Sequence, residues 1–167
     1  MRMILPGYIS GNTKLINGNY IQNVTPVAYG LNSWNLNTLV NSLETKETPE
    51  KKQLKSILNC LYVSVLNKGQ YSDDRALNYA LYNIIELSEI IKEVTIQKIQ
   101  LSGYKVIPSK ISLQNSLIRE VQLTFFDPEN TNNASVTYAM LIDVSGVIPV
   151  LIGETQKRQT PVSVTTI

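Results

Sequence analysis

Residues 117–143 read LIREVQLTFFDPENTNNASVTYAMLID. In the first ten, Leu117, Arg119, Val121, Leu123 and Phe125 fall on one side of an extended chain, and Ile118, Glu120, Gln122, Thr124 and Phe126 on the other. That alternation is the period of a strand with one largely apolar face, interrupted by Arg119. DPENTNN is rich in turn formers, and SVTYAMLID returns as a second strand. An antiparallel meander is therefore expected, with strands from about residue 104. VSG turns again, VIPVLIGE supplies a third strand and PVSVTTI a fourth. Pro149 puts the third at a sheet edge, because proline cannot donate a ladder hydrogen bond.

Upstream the period changes. Thr48, Pro49 and Glu50 read as an N-cap, a first-turn proline and an early acid. Leu54, Ile57, Leu58, Leu61, Tyr62, Val65 and Leu66 then mark one apolar helical face, predicting a helix at about 49–67. Ser72, Asp73 and Asp74 open a second helix, expected over 73–93, whose stripe runs through Leu77, Ala80, Ile84, Leu87, Ile91 and Val94. A link of roughly five residues makes the two an antiparallel pair. Residues 94–101 are rich in β-branched side chains and fit either a continuing helix or a strand. The fold class is α+β, with an antiparallel two-helix pair in the middle, a C-terminal antiparallel β-meander and an N-terminal extended arm. Three segments follow: an arm at 1–47, a body at 48–154 and a β-prone tail at 155–167.

The arm holds the KLINGNYIQ stretch, where Asn17-Gly18 separates Leu15-Ile16 from Tyr20-Ile21, a strong hairpin signal. NLNTLVNSL, residues 35–43, follows as a short amphipathic helix. Disordered segments are usually highly charged and poor in large apolar residues. Residues 11–37 carry Lys14 as their single charge, with Tyr29 and Trp34 among the large side chains, so an ordered arm needing a surface is expected. Ile16, Tyr20, Ile21, Tyr29 and Trp34, together with Val162 and Val164 of the tail, are its candidate contact residues.

The chemistry of the chain is narrow. Among 167 residues there is no histidine and one cysteine. This removes histidine-based triads, ordinary zinc sites and internal disulfides. Cys60 sits in the apolar run LNCLYVSVL, where a buried inert thiol is expected. The remaining acids are scattered. LIDVSG resembles the start of the metal-adhesion motif of von Willebrand A-type domains through Asp143 and Ser145. Val147 stands where the second serine belongs, and a tight turn explains the stretch better. Asp127, Glu129 and Asn133 give the DPENTNN loop oxygen ligands, but its sixth position is Asn132 and its twelfth Tyr138, outside the EF-hand pattern. No catalytic, cofactor or metal residue is assigned; a carboxylate enzyme would need Asp143 to meet Asp127, Glu129 or Glu154 in one cleft.

Charge is low and even, with +3/−2, +7/−6 and +5/−5 over residues 1–47, 48–103 and 104–167. No third has the basic excess that phosphate neutralisation requires, which argues against nucleic acid. Neither a signal peptide nor a transmembrane stretch is read. Sixteen Asn, fourteen Ser and thirteen Thr fill much of the surface instead of charge, which suits a subunit covered by neighbours. In these general properties the chain is similar to small phage neck, tail or capsid-associated proteins. The expectation is a non-enzymatic structural subunit of a virion or host cytoplasm, contacting protein subunits and forming a homo-oligomer. The alternative is a cytoplasmic adaptor using Tyr79 and Tyr82, on the helix side away from the apolar stripe.

Overall fold

The computed structural model describes residues 2–27, 32–34, 52, 55–57, 59, 69–111 and 116–160. Helices and antiparallel sheets make up an α+β fold with a two-stranded hairpin near the N-terminus. Nine strands are described: β1 Arg2–Ile4, β2 Gly7–Lys14, β3 Tyr20–Pro26, β4 Asn32–Trp34, β5 Gln100–Pro108, β6 Ile118–Phe126, β7 Ser135–Asp143, β8 Val150–Leu151 and β9 Gln156–Thr160. The main sheet runs β5-β6-β7, and both β8 and β9 pair with the far side of β7. All its neighbours are antiparallel.

Register carries the alternation read in the sequence into a core. Val121, Leu123 and Phe125 stand opposite Met140, Tyr138 and Val136 on one face, and all six are buried. Phe125 meets Tyr138 edge to face, with ring centroids 5.7 Å apart. On this face pack helices α1, Ser72–Tyr82, and α2, Ile84–Ile96. Their Leu77, Ala80, Leu81, Leu87, Ile91 and Val94 join the same cluster. Arg119, the polar interruption of that strand face, reaches the start of α1. It pairs with Asp73 and donates to Ser72 Oγ from Nε at 3.1 Å and Nη2 at 2.9 Å. The opposite sheet face is buried in part as well, through Ile118, Ala139 and Leu141 with Glu120 and Thr137, so β7 is covered on both sides.

Several local expectations change. The helix expected over 73–93 has the right extent at its start but is divided at Asn83, which takes ψ 80°. Asparagine competes with the helix for its own backbone groups and tolerates such a break. Ser72 does not cap α1: Tyr71 holds the N-cap position without a side-chain bond. Ser72 Oγ instead serves Arg119. The strand expected over VIPVLIGE shrinks to Val150–Leu151, just beyond Pro149. β5 begins at Gln100, earlier than the meander was expected.

The ambiguous 94–101 segment resolves into both elements. Helix α2 continues to Ile96, whose side chain is exposed as its off-stripe position requires. Its end is a Schellman motif, with Ile99 N donating to Val94 O and Lys98 N to Thr95 O, each at 3.1 Å. Lys98 occupies the left-handed position of that motif at φ 58°, where glycine is the usual residue. Ile99 then turns into the core. Lys98→Gly is expected to raise stability by about 0.5–1 kcal/mol, because relief of the left-handed strain outweighs the added flexibility of the unfolded chain. Denaturant unfolding of the two proteins measures it.

Within the expected helix at 49–67, Lys52, Lys55, Ser56, Ile57 and Asn59 are helical and Ile57 belongs to the core. Its remainder, Cys60, the expected helix at 35–43, Tyr29, Val162 and Val164 lie outside the described residues. Among the described residues, no helix is long and apolar enough to cross a membrane.

Candidate interaction surface

The arm is a two-stranded ribbon. β2 and β3 pair from Gly7↔Pro26 to Lys14↔Tyr20, with a bulge between Ile9 and Gly11. Beyond them Val27 N donates to Pro6 O at 2.8 Å, and β1 pairs with β4 from Ile4↔Asn32 to Arg2↔Trp34. The turn forms where Asn17-Gly18 predicted it. Gly18, at φ 85°, donates its N–H to Leu15 O, while Asn17 Oδ1 accepts from Asn19 N. Only glycine takes that backbone angle without strain. Glycine is also required at Gly7, where a Cβ would lie 2.5 Å from Thr25 O.

Every residue from Tyr8 to Pro26 is exposed. Register places Ile9, Tyr20 and Val24 on one face and Tyr8 and Ile21 on the other, while Ile16 stands fully open at the tip. Lys14, the one charge of this stretch, lies 5.8 Å from the Tyr20 ring centre, so its ammonium covers an aromatic face. Two-stranded ribbons are marginally stable alone in water. Exposed apolar side chains on both faces therefore define the candidate contact surface. It contains Ile16, Tyr20 and Ile21, together with Tyr8, Ile9 and Val24, which only the register brings onto the ribbon's faces. Trp34 lies on β4, opposite Arg2, outside the ribbon's own two strands.

The helical tyrosines divide. Tyr82 is exposed, whereas Tyr79 is partly buried and packs against the core. Of the two, Tyr82 alone has the full exposure expected.

Asp143 does not meet Asp127 or Glu129 in one cleft. Asp127 and Glu129 lie in the β6–β7 turn and Asp143 at the far end of β7, about 26 Å away along the nine-residue strand. Asp127 is engaged in its own turn, with Oδ1 accepting from Glu129 N at 2.9 Å and Oδ2 from Asn133 Nδ2 at 2.7 Å. The Asn133 bond first, then that from Glu129 N, lowers its pKa. Asp143 accepts from the amide and hydroxyl of Ser145, which also hold its pKa down. LIDVSG is thus a side-chain-capped turn. Among the described residues no three acids or cysteines are grouped as a metal site would need.

A second polar cluster surrounds β9, whose own sequence carries no apolar pattern. Lys157 pairs with Glu93 of α2, and its ammonium lies 5.9 Å from the Tyr138 ring centre. The bond from Lys157 is the largest cause that lowers the Glu93 pKa, with smaller help from Tyr138 and Gln97 against the cost of burial. Tyr138 Oη is buried without a hydrogen bond of ordinary geometry but faces Glu93. Burial, then that carboxylate, holds its proton far above the usual phenol range. On the other sheet face Arg158 donates to Glu120 Oε1 at 2.6 Å.

Against known proteins, a solved structure titled "PatG Domain of Unknown Function" superposes with a TM-score of 0.74 at 29% sequence identity. The alignment covers 93% of this chain and 62% of that one, so the chain spans less than two thirds of its solved relative. No curated protein matches. Residues 44–157 match the family described as PatG C-terminal. These matches overturn the expectation of a phage neck, tail or capsid-associated protein, which rested on composition and no motif. With more than half its length matched, the chain belongs to the PatG C-terminal family.

Proposed function

We propose that the chain is a non-catalytic binding module of the PatG C-terminal type whose β2–β3 ribbon contacts a second copy of the chain. The observation that carries this reading is the ribbon's exposure of Tyr8, Ile9, Ile16, Tyr20, Ile21 and Val24 on both faces and at its tip. Monomeric proteins rarely leave such a cluster uncovered. Self-contact is favoured over an acidic or basic partner because residues 5–27 contain one charged side chain, Lys14. Two such ribbons meet with Lys14 as the one like charge on each. The non-catalytic reading is supported by the separation of Asp143 from Asp127 and Glu129 and by the engagement of Asp127 and Asp143 in their own turns. The antiparallel pairing of a 49–67 helix with α1 belongs to the same proposal, supported by Ile57 in the core.

Tyr20→Ser combined with Val24→Ser removes the larger part of one ribbon face without touching the buried core. Sedimentation velocity is expected to show the full chain as a dimer or larger, and this variant shifted toward monomer by at least tenfold in dissociation constant. An unchanged sedimentation profile, with unchanged circular dichroism, would remove the ribbon from the contact.

A further inference from the structure

We infer that the flank of β7 is an acceptor for an extended segment carrying two adjacent basic residues, a place the chain's own β9 fills in this state. β7 is buried throughout Val136–Ile142, while all five residues of β9 are exposed. The seated strand is therefore the shallow partner and β7 the deep one. Consecutive strand residues point to opposite faces, so Lys157 and Arg158 reach carboxylates on opposite sides of the sheet. Lys157 pairs with Glu93 on the helix side, and Arg158 reaches both oxygens of Glu120 on the other, at 2.6 and 3.5 Å. A segment with a single basic residue engages only one of them.

Both carboxylates are held from the acceptor side independently of β9. Gln97 Nε2 donates to Glu93 Oε1 at 3.1 Å, and Gln122 Nε2 to Glu120 Oε1 at 2.7 Å. Glu86, seven residues before Glu93 and so on the same side of α2, accepts from Thr155 at the entry to β9. The Tyr138 ring lies beside the Lys157 ammonium. The backbone of β7 supplies the ladder from Ser135↔Thr160 to Ala139↔Gln156. Main-chain pairing gives affinity in strand addition, and side-chain pockets give selectivity. Here the selectivity is for an adjacent basic pair. This site is separate from the ribbon and does not depend on it.

The test uses the full chain carrying K157E/R158E, which repels its own β9 from the two acids, and a labelled peptide of residues 155–160, TQKRQT. Fluorescence polarisation is expected to show saturable binding, at least tenfold weaker for the K157E/R158E version of the peptide and tenfold weaker when the chain also carries Glu120→Gln. Equal binding of the two peptides, or no binding to a folded variant, overturns the inference. Loss of fold in the variant also overturns it, since β9 would then be an obligatory part of the sheet. In the unaltered chain, hydrogen exchange is expected to be faster in β9 than in β6 and β7; equal protection counts against the acceptor as well.

Discussion

Phe125→Ala is expected to destabilise the domain by about 3–5 kcal/mol. The ring is completely buried, pairs across the sheet with Val136 and lies edge to face with Tyr138 at 86°. Its removal leaves a cavity beneath α1 and α2 and takes away an aromatic contact worth about 0.5–1.5 kcal/mol beyond burial. Domains of this kind have total stabilities of about 5–15 kcal/mol, so the variant is expected to sit near the threshold of folding at physiological temperature. Phe126 points to the other face and is only partly buried; Phe126→Ala should cost less than half as much. Denaturant unfolding followed by circular dichroism checks both, and similar losses for the two would place the core on the wrong sheet face.

Arg75→Ala is expected to cost about 2–4 kcal/mol, an unusual loss for a residue that touches no carboxylate in the described network. Its guanidinium donates from Nη1 to Val144 O at 2.8 Å and from Nη2 to Val147 O at 3.0 Å and to Gly146 O. The partly buried group has its pKa lowered by desolvation. The fork thus ties α1 to the turn that leads from β7 to β8. Without it, carbonyl groups that face protein lose their donor. Arg75→Lys should recover less than half of the loss, because a single ammonium cannot span three carbonyls as a planar fork does. Full recovery by lysine in the same unfolding measurement would mean that positive charge, and not the fork, holds the turn.

What could be read in advance follows from where each element gets its stability. β6 and β7 were legible because their own side chains fill the core, so Val121, Leu123, Phe125, Tyr138 and Met140 record the pleat directly. The ribbon was legible because Asn17-Gly18 specifies a backbone angle, a local requirement. β9 was not, since QKRQT has neither alternating apolar residues nor strong strand formers. Its position depends on Glu93 and Glu120, which lie 64 and 38 residues away in the chain. The break at Asn83 was hidden because the apolar stripe continues across it. Tyr79 looked surface-directed by helical period alone, yet it fills space against the core. The comparison with virion proteins failed for a different reason. Low charge and abundant asparagine describe a surface, and many unrelated proteins share such a surface.

The exposed apolar residues of the ribbon were half legible in the same sense. Ile16, Tyr20 and Ile21 were named from their nearness to the turn, and the ribbon exposes them all. Tyr8, Ile9 and Val24 emerge only once the register and the bulge between Ile9 and Gly11 are known, because the bulge changes which residues share a face.

Hydrogen exchange across a concentration series tests the central claim most directly, because it reports where copies touch as well as whether they do. As the chain associates, amides and side-chain-shielded segments within Gly7–Pro26 are expected to gain protection while β5 and the β6–β7 turn stay unchanged. Association with no added protection in the ribbon, or a chain that stays monomeric at its solubility limit, would contradict the account.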